Sequence, residues 1–239
     1  MKLCDVHTHV LPGVDDGAPT MEYALQMLEN AVASDVEWLA VTPHWRASGE
    51  DTRTMACLQA DFQQLQEAAA EIPIHLVLGA EVRVTEALMA ALPTGEIPTI
   101  HNSRYLLTEF APHTGAAAFL PVLERLVDAG YIPLVAHPER YAAVCHDPRL
   151  VQDWLDCGCH LQLTGGSVLG AYGKTVQRTA TTLLRNDLVA CVASDAHGLH
   201  GRSNFLLDVY DHLHIRYSKG YANCLMYTNP MRIFRDETL

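Results

Sequence analysis

Leu3-Cys4-Asp5-Val6-His7-Thr8-His9 carries a short apolar segment straight into a His-x-His pair. The same junction recurs down the chain. Apolar, often β-branched runs at 38–41, 74–78, 105–107, 132–136, 160–163 and 189–193 complete a set of seven strand candidates. Six of the seven lead into groups able to bind a cation: His7 and His9, then His44, Glu81, Glu109, His137, and Asp195 with His197.

Between these runs lie helical patterns. Met21, Ala24, Leu25, Leu28 and Val32 follow the cap candidate Thr20, and Leu120, Leu123 and Val127 close at Gly130, with the Ala-rich stretch 116–118 marking a helix start. Strand–helix alternation with near-continuously apolar strands predicts an α/β fold, its parallel sheet covered on both faces. Strand ends recur about every 27 to 37 residues, one βα unit each. An open doubly wound sheet and a barrel both satisfy this pattern. No linker, repeat or low-complexity stretch divides the 239 residues, so one domain over 1–239 is expected.

Composition narrows the function. Apolar residues make up 49% and charged residues 18%, a globular pattern and not a disordered one. The formal charge of -12 opposes nucleic acid and anionic lipid, since the long-range field repels phosphate. With no apolar run near membrane-span length and no signal-peptide core, a cytoplasmic protein without membrane insertion is expected. The seven cysteines form no Cys-x-x-Cys pair, and none has an arginine six positions on, as a cysteine phosphatase loop requires. Gly-x-Ser-x-Gly, Walker A and Gly-x-Gly-x-x-Gly motifs are also missing, which counts against serine hydrolase, P-loop and Rossmann chemistry.

Parallel α/β folds present the carboxyl ends of their strands at one face, so the strand-end residues should meet in space. Four carboxylates gathered there would repel one another unless divalent cations neutralised them. Imidazole and carboxylate donors without cysteine suit Mn, Fe or Zn. Nine candidates, His7, His9, Asp16, His44, Glu81, Glu109, His137, Asp195 and His197, are too many for one ion. A dinuclear and a trinuclear cluster both fit. Arg140 and Arg202 stand within a few residues of His137 and His197. A guanidinium fork beside divalent metals is what holding a phosphoryl group against a metal-activated hydroxide requires, so phosphoester hydrolysis leads.

The motifs Asp5-Val6-His7-Thr8-His9 and Ser194-Asp195-Ala196-His197 resemble those of the polymerase-and-histidinol-phosphatase (PHP) superfamily. More narrowly, Leu11-Pro12-Gly13-Val14-Asp15-Asp16-Gly17, Thr42-Pro43-His44, Gly79-Ala80-Glu81, Ala136-His137-Pro138-Glu139-Arg140-Tyr141 and Asn229-Pro230 are similar to the bacterial manganese-dependent protein-tyrosine phosphatases of capsule and exopolysaccharide clusters. The resemblance implies a single PHP domain, a distorted (β/α)7 TIM-like barrel, and three divalent ions, Mn with Fe or Zn as alternatives. It places one ion with His7, His9, Glu81 and Asp195, a second with Glu81, Glu109 and His137, and a third with Asp16, His44 and His197. Arg140 and Arg202 match the family's substrate arginines. Trp45 stands where relatives often carry a polar residue and is a candidate for stacking on a tyrosyl ring. The implied substrate is phosphotyrosine in a partner protein, a tyrosine autokinase of polysaccharide synthesis; homo-oligomerisation stays open. Two alternatives remain beside this reading: a small-molecule phosphatase of the histidinol-phosphate type, and a metal-binding regulatory protein without turnover.

The two chemistries separate in one assay. Alkylating agents should leave phosphatase activity largely intact while strong chelation abolishes it; the reverse pattern would restore a cysteine mechanism.

Overall fold

The computed structural model describes residues 2–47, 54–94, 97–203 and 205–239. The described residues form nine strands: β1 (Leu3–Thr8), β2 (Val36–Val41), β3 (His44–Trp45), β4 (His75–Leu78), β5 (Glu81–Arg83), β6 (Tyr105–Glu109), β7 (Ile132–Ala136), β8 (His160–Thr164) and β9 (Cys191–Ala193). They form two wholly parallel sheets, ordered β1-β2-β4 and β3-β5-β6-β7-β8-β9. The expected α/β class with parallel strands is therefore what the chain adopts.

All seven expected strands are found, and two short ones are added. β3 resumes the path of β2 beyond Thr42-Pro43, and β5 resumes that of β4 beyond Gly79-Ala80. Pro43 has no N–H for a ladder, so the strand breaks there and re-pairs in the second sheet. The two sheets also meet at their other ends. Thr8 bridges Ala196 in parallel fashion, Asp195 N–H donates to the His7 carbonyl at 2.9 Å and His9 N–H donates to the Ala196 carbonyl at 2.9 Å.

Helices return the chain between strands. Met21–Ala33 starts where Thr20 accepts from the Tyr23 amide, and Ala116–Asp128 starts at the alanine run. Alternate strand residues face two different cores, which is why the strands read as nearly unbroken apolar runs. Val6, Ala40, Val77, Leu107, Leu134 and Ala193 pack with Ile233 and Phe234 of the C-terminal helix. Leu39, Val41, Leu106, Val135, Leu163 and Val192 pack under the outer helices, beside Phe119, Leu123 and Trp154. Register then aligns the carboxyl ends. His44 pairs with Glu81, Arg83 with Glu109, and Thr164 with Ala193. Among the described residues no helix is long and apolar enough to cross a membrane.

Candidate metal centre

The nine expected ligands converge where the strands end. Three overlapping groups each place one donor atom per residue within 4.8 Å of the others: His9, Asp16, His44 and His197; His7, His9 and Asp195; and His44, Glu81 and Glu109. His137 joins them through its Nε2, 2.9 Å from Glu81 Oε1. The floor, His7, His9, Glu81 and Asp195, is fully buried, whereas the Asp16 side chain is 64% exposed and marks the mouth. These overlaps differ from the three sets implied by resemblance, because His9 and His44 each belong to more than one group. Among the described residues, none of the other eight histidines enters a group.

The backbone turns sharply to gather these donors. His137 (φ 36°, ψ 52°) and Asp195 (φ 52°) are both left-handed just beyond β7 and β9, a conformation that costs a non-glycine residue on the order of 1–2 kcal/mol. Gly17 packs so tightly on His9 that a Cβ would lie 1.9 Å from the His9 carbonyl oxygen. Only glycine lets the loop carrying Asp15 and Asp16 close over the site.

Hydrogen bonds fix which ring nitrogen each histidine offers. Gln162 donates its amide to the Leu163 carbonyl at 2.8 Å, so its oxygen must accept from His7 Nδ1 at 2.9 Å. Asp15 Oδ2 accepts from His9 Nδ1 at 2.7 Å, and the Asp195 carbonyl accepts from His197 Nδ1 at 3.0 Å. In all three rings Nε2 is left to face the cluster, the orientation that prepares imidazole for a metal. His7 Nε2 and His9 Nε2 lie 3.1 Å apart. Two lone pairs at that separation repel unless a proton or a metal cation sits with them. His197 Nε2 is buried without a hydrogen-bond partner, another sign that these donors fit a cation.

The charges agree. Burial disfavours an ionised Glu81, yet the surrounding imidazoles of His7, His137 and His44 hold its carboxyl well below the usual range. Burial, then the Glu81 charge, pushes Glu109 up. Burial would lower His9, but hydrogen bonds to Asp15 and Glu81 outweigh it and raise the imidazole to about 10. For His197, burial and the nearby His9 and Arg202 charges lower the ring to about 3, so it stays neutral. The carboxylates thus draw positive charge into the site, and divalent ions would supply it.

Arg140 and Arg202 lie at the edge of the cluster. Arg140 Nη1 donates to Asp195 Oδ2 at 2.7 Å and Arg202 Nη2 to Asp195 Oδ1 at 2.8 Å. Trp45 is elsewhere. It is 7% exposed and packed in the core, because pairing of β3 with β5 sets it opposite Val82. The stacking role expected for it is corrected accordingly, since its ring offers no open face. Several residues of the site went unrecognised in the sequence: Asp15 and Gln162 orient ligands, and Glu139, buried between His137 and Arg140, accepts from the Thr164 amide at 3.0 Å. A lone glutamine inside the apolar strand His160–Thr164 was a legible signal for Gln162. Arg83, with Nε 3.0 Å from Glu109 Oε2, had none.

Fold and site define a class: an α/β protein whose parallel strands end in an imidazole–carboxylate cluster able to hold metal ions. Residues 3–235 match the sequence family described as capsular polysaccharide synthesis, CpsB/CapC, and the chain belongs to that family. It is 31% identical over 244 residues to the tyrosine-protein phosphatase CpsB of Streptococcus pneumoniae, covering 99% of this chain and 100% of that one. It is 29% identical over 206 residues to the tyrosine-protein phosphatase YwqE of Bacillus subtilis, covering 84% and 80%. Its structure is similar to one from a crystallographic description of YwqE and CpsB as unique metal-dependent tyrosine phosphatases, with a TM-score of 0.92, 27% identity and coverage of 99% and 96%.

Asp15 touches His9 and the His44 amide without being among the expected ligands. Asp15→Ala should weaken metal affinity about 10- to 100-fold, the usual cost of losing a ligand's orienting partner, as read by chelator competition. Unchanged affinity would show that Asp15 orients nothing.

Proposed function

We propose that the protein is a metal-dependent protein-tyrosine phosphatase of capsule or exopolysaccharide synthesis. The observation that carries this is the pair of guanidinium groups held 2.7 and 2.8 Å from the two oxygens of Asp195, on the lip of the imidazole–carboxylate cluster. Metal ions alone would serve many hydrolases. Two planar forks beside them select a tetrahedral oxyanion with several oxygens to share. The relatives' activity, family membership and matching fold support the reading.

The finer assignments belong to the same proposal. The chain is one PHP domain over residues 1–239, and its strands make a distorted (β/α)7 barrel, with β2–β3 and β4–β5 as two interrupted staves and the Thr8–Ala196 bridge as the seam. Three divalent ions, Mn first and Fe or Zn as alternatives, would be held by His7, His9, Asp16, His44, Glu81, Glu109, His137, Asp195 and His197. Glu81 would be the shared ligand, a reading supported by its carboxylate touching His137 on one oxygen and His44, at 2.9 Å, on the other. The substrate is a phosphotyrosyl protein, a tyrosine autokinase of the same system, and the setting is the cytoplasm.

When bound, the ions supply Lewis acidity toward phosphoryl oxygens and lower the pKa of a water ligand. The chain supplies the rest. Asp15, Gln162 and the Asp195 carbonyl keep the His9, His7 and His197 rings turned with Nε2 inward. Arg140 and Arg202 take the non-bridging oxygens and neutralise the charge that grows there during in-line displacement. No thiol is needed: burial drives the Cys4, Cys159 and Cys191 thiols well up, away from the nucleophilic thiolate. The tyrosyl leaving group has a pKa of about 10, so it departs with less acid assistance than an alkyl alcohol.

A guanidinium cannot ligate a cation, so the arginines should serve substrate and not metal. Arg140→Ala and Arg202→Ala should keep the full metal complement and lose about two orders of magnitude in phosphotyrosyl turnover, roughly 3 kcal/mol of transition-state stabilisation. Lysine at either position should recover only part. Wild-type rates in both alanine variants would make them ordinary surface charges. Turnover of histidinol phosphate in preference to a phosphotyrosyl peptide would reassign the substrate.

A further inference from the structure

Tyr172 has no part in the metal cluster, yet it is built to face Arg140. It lies on the short loop between the helices Gly165–Leu169 and Lys174–Arg185. Gly170 and Gly173 flank it, both left-handed with φ 90°, and the Gly173 amide closes the turn onto the Gly170 carbonyl at 3.1 Å. The Ala171 amide ties the loop back to the Gly166 carbonyl at 2.8 Å. A Cβ at Gly166 would stand 3.0 Å from Tyr172 Cε2, so the helix is bare where the ring passes.

The ring is therefore fixed by its backbone and not by chance packing. Its face receives Arg140, whose guanidinium carbon lies 5.0 Å from the centroid, within cation–π range. Arg140 thus meets Tyr172 on its guanidinium face while its Nη1 donates to Asp195. Arginine side chains carry about 2 kcal/mol of rotamer entropy each, so forks left free would lose that freedom every time an anion bound.

We propose that Tyr172 is a positioning residue of the phosphate site, holding Arg140 on its ring face so that this fork is pre-set for a phosphate monoester. This deepens the phosphatase reading and rests on it. The aromatic residue at the substrate rim is then Tyr172, in place of the buried Trp45.

The test uses the metal-loaded protein and its Tyr172→Ala and Tyr172→Phe variants. It reads metal content, kinetics on a phosphotyrosyl peptide, and inorganic phosphate affinity by calorimetry. The alanine variant should keep its metal while KM and the phosphate Kd each rise about tenfold, with a smaller change in kcat. Phenylalanine keeps the ring face and should stay within about threefold of wild type. Wild-type KM and phosphate Kd in the alanine variant would overturn the proposal, as would loss of metal or a phenylalanine variant no better than alanine. Phosphate affinity that depends on Tyr172 in a protein without turnover would uphold the positioning role and overturn the phosphatase reading alone.

Discussion

Charge balance at the carboxyl ends of the strands is the constraint on which the rest depends. Glu81 and Asp195 are fully buried and Glu109 nearly so. Carboxylates removed from water cost several kcal/mol each unless matched by positive charge and hydrogen bonds. Imidazoles crowd around Glu81, arginines close on Asp195, and His9 is drawn toward its charged form. A site so arranged is fit to hold cations, and the guanidinium groups at its edge are fit to meet an anion.

The fold exists in the form that makes this gathering possible. Parallel register brings the strand ends to one level: His44, Glu81 and Glu109 are themselves paired residues there, and His137 and Asp195 lie just past β7 and β9. Left-handed His137 and Asp195 reverse the chain there, so the strain sits at the functional residues and the surrounding cores hold it. Around the donors lies a ring of supporting groups: Asp15, Gln162 and Glu139 orient ligands and loops, Asp195 holds both arginines, and the Tyr172 ring lies against Arg140.

Much of this is legible in the sequence. The seven apolar runs located the main strands, and the recurrence of His, Asp or Glu after them located the cluster, because period and position are properties of sequence. What escaped is informative. β3 and β5 are two and three residues long and start on their ligands, too short to carry a period. Trp45 reads as a loop aromatic beside His44, and only the pairing of its strand reveals that it points inward. Tyr172 lies 32 residues beyond Arg140, so its contact with that side chain exists only in three dimensions. Orienting groups such as Asp15 are likewise invisible until their hydrogen bonds can be traced.

Metal stoichiometry tests the central claim most directly. Glu81 touches imidazoles on both carboxylate oxygens, so it is the group on which more than one ion would depend. Elemental analysis of the purified chain and of Glu81→Ala should find more than one divalent ion per wild-type chain and a loss of more than one in the variant. A variant that keeps the wild-type metal count would contradict the account, for the buried carboxylate at its centre would then be holding no metal.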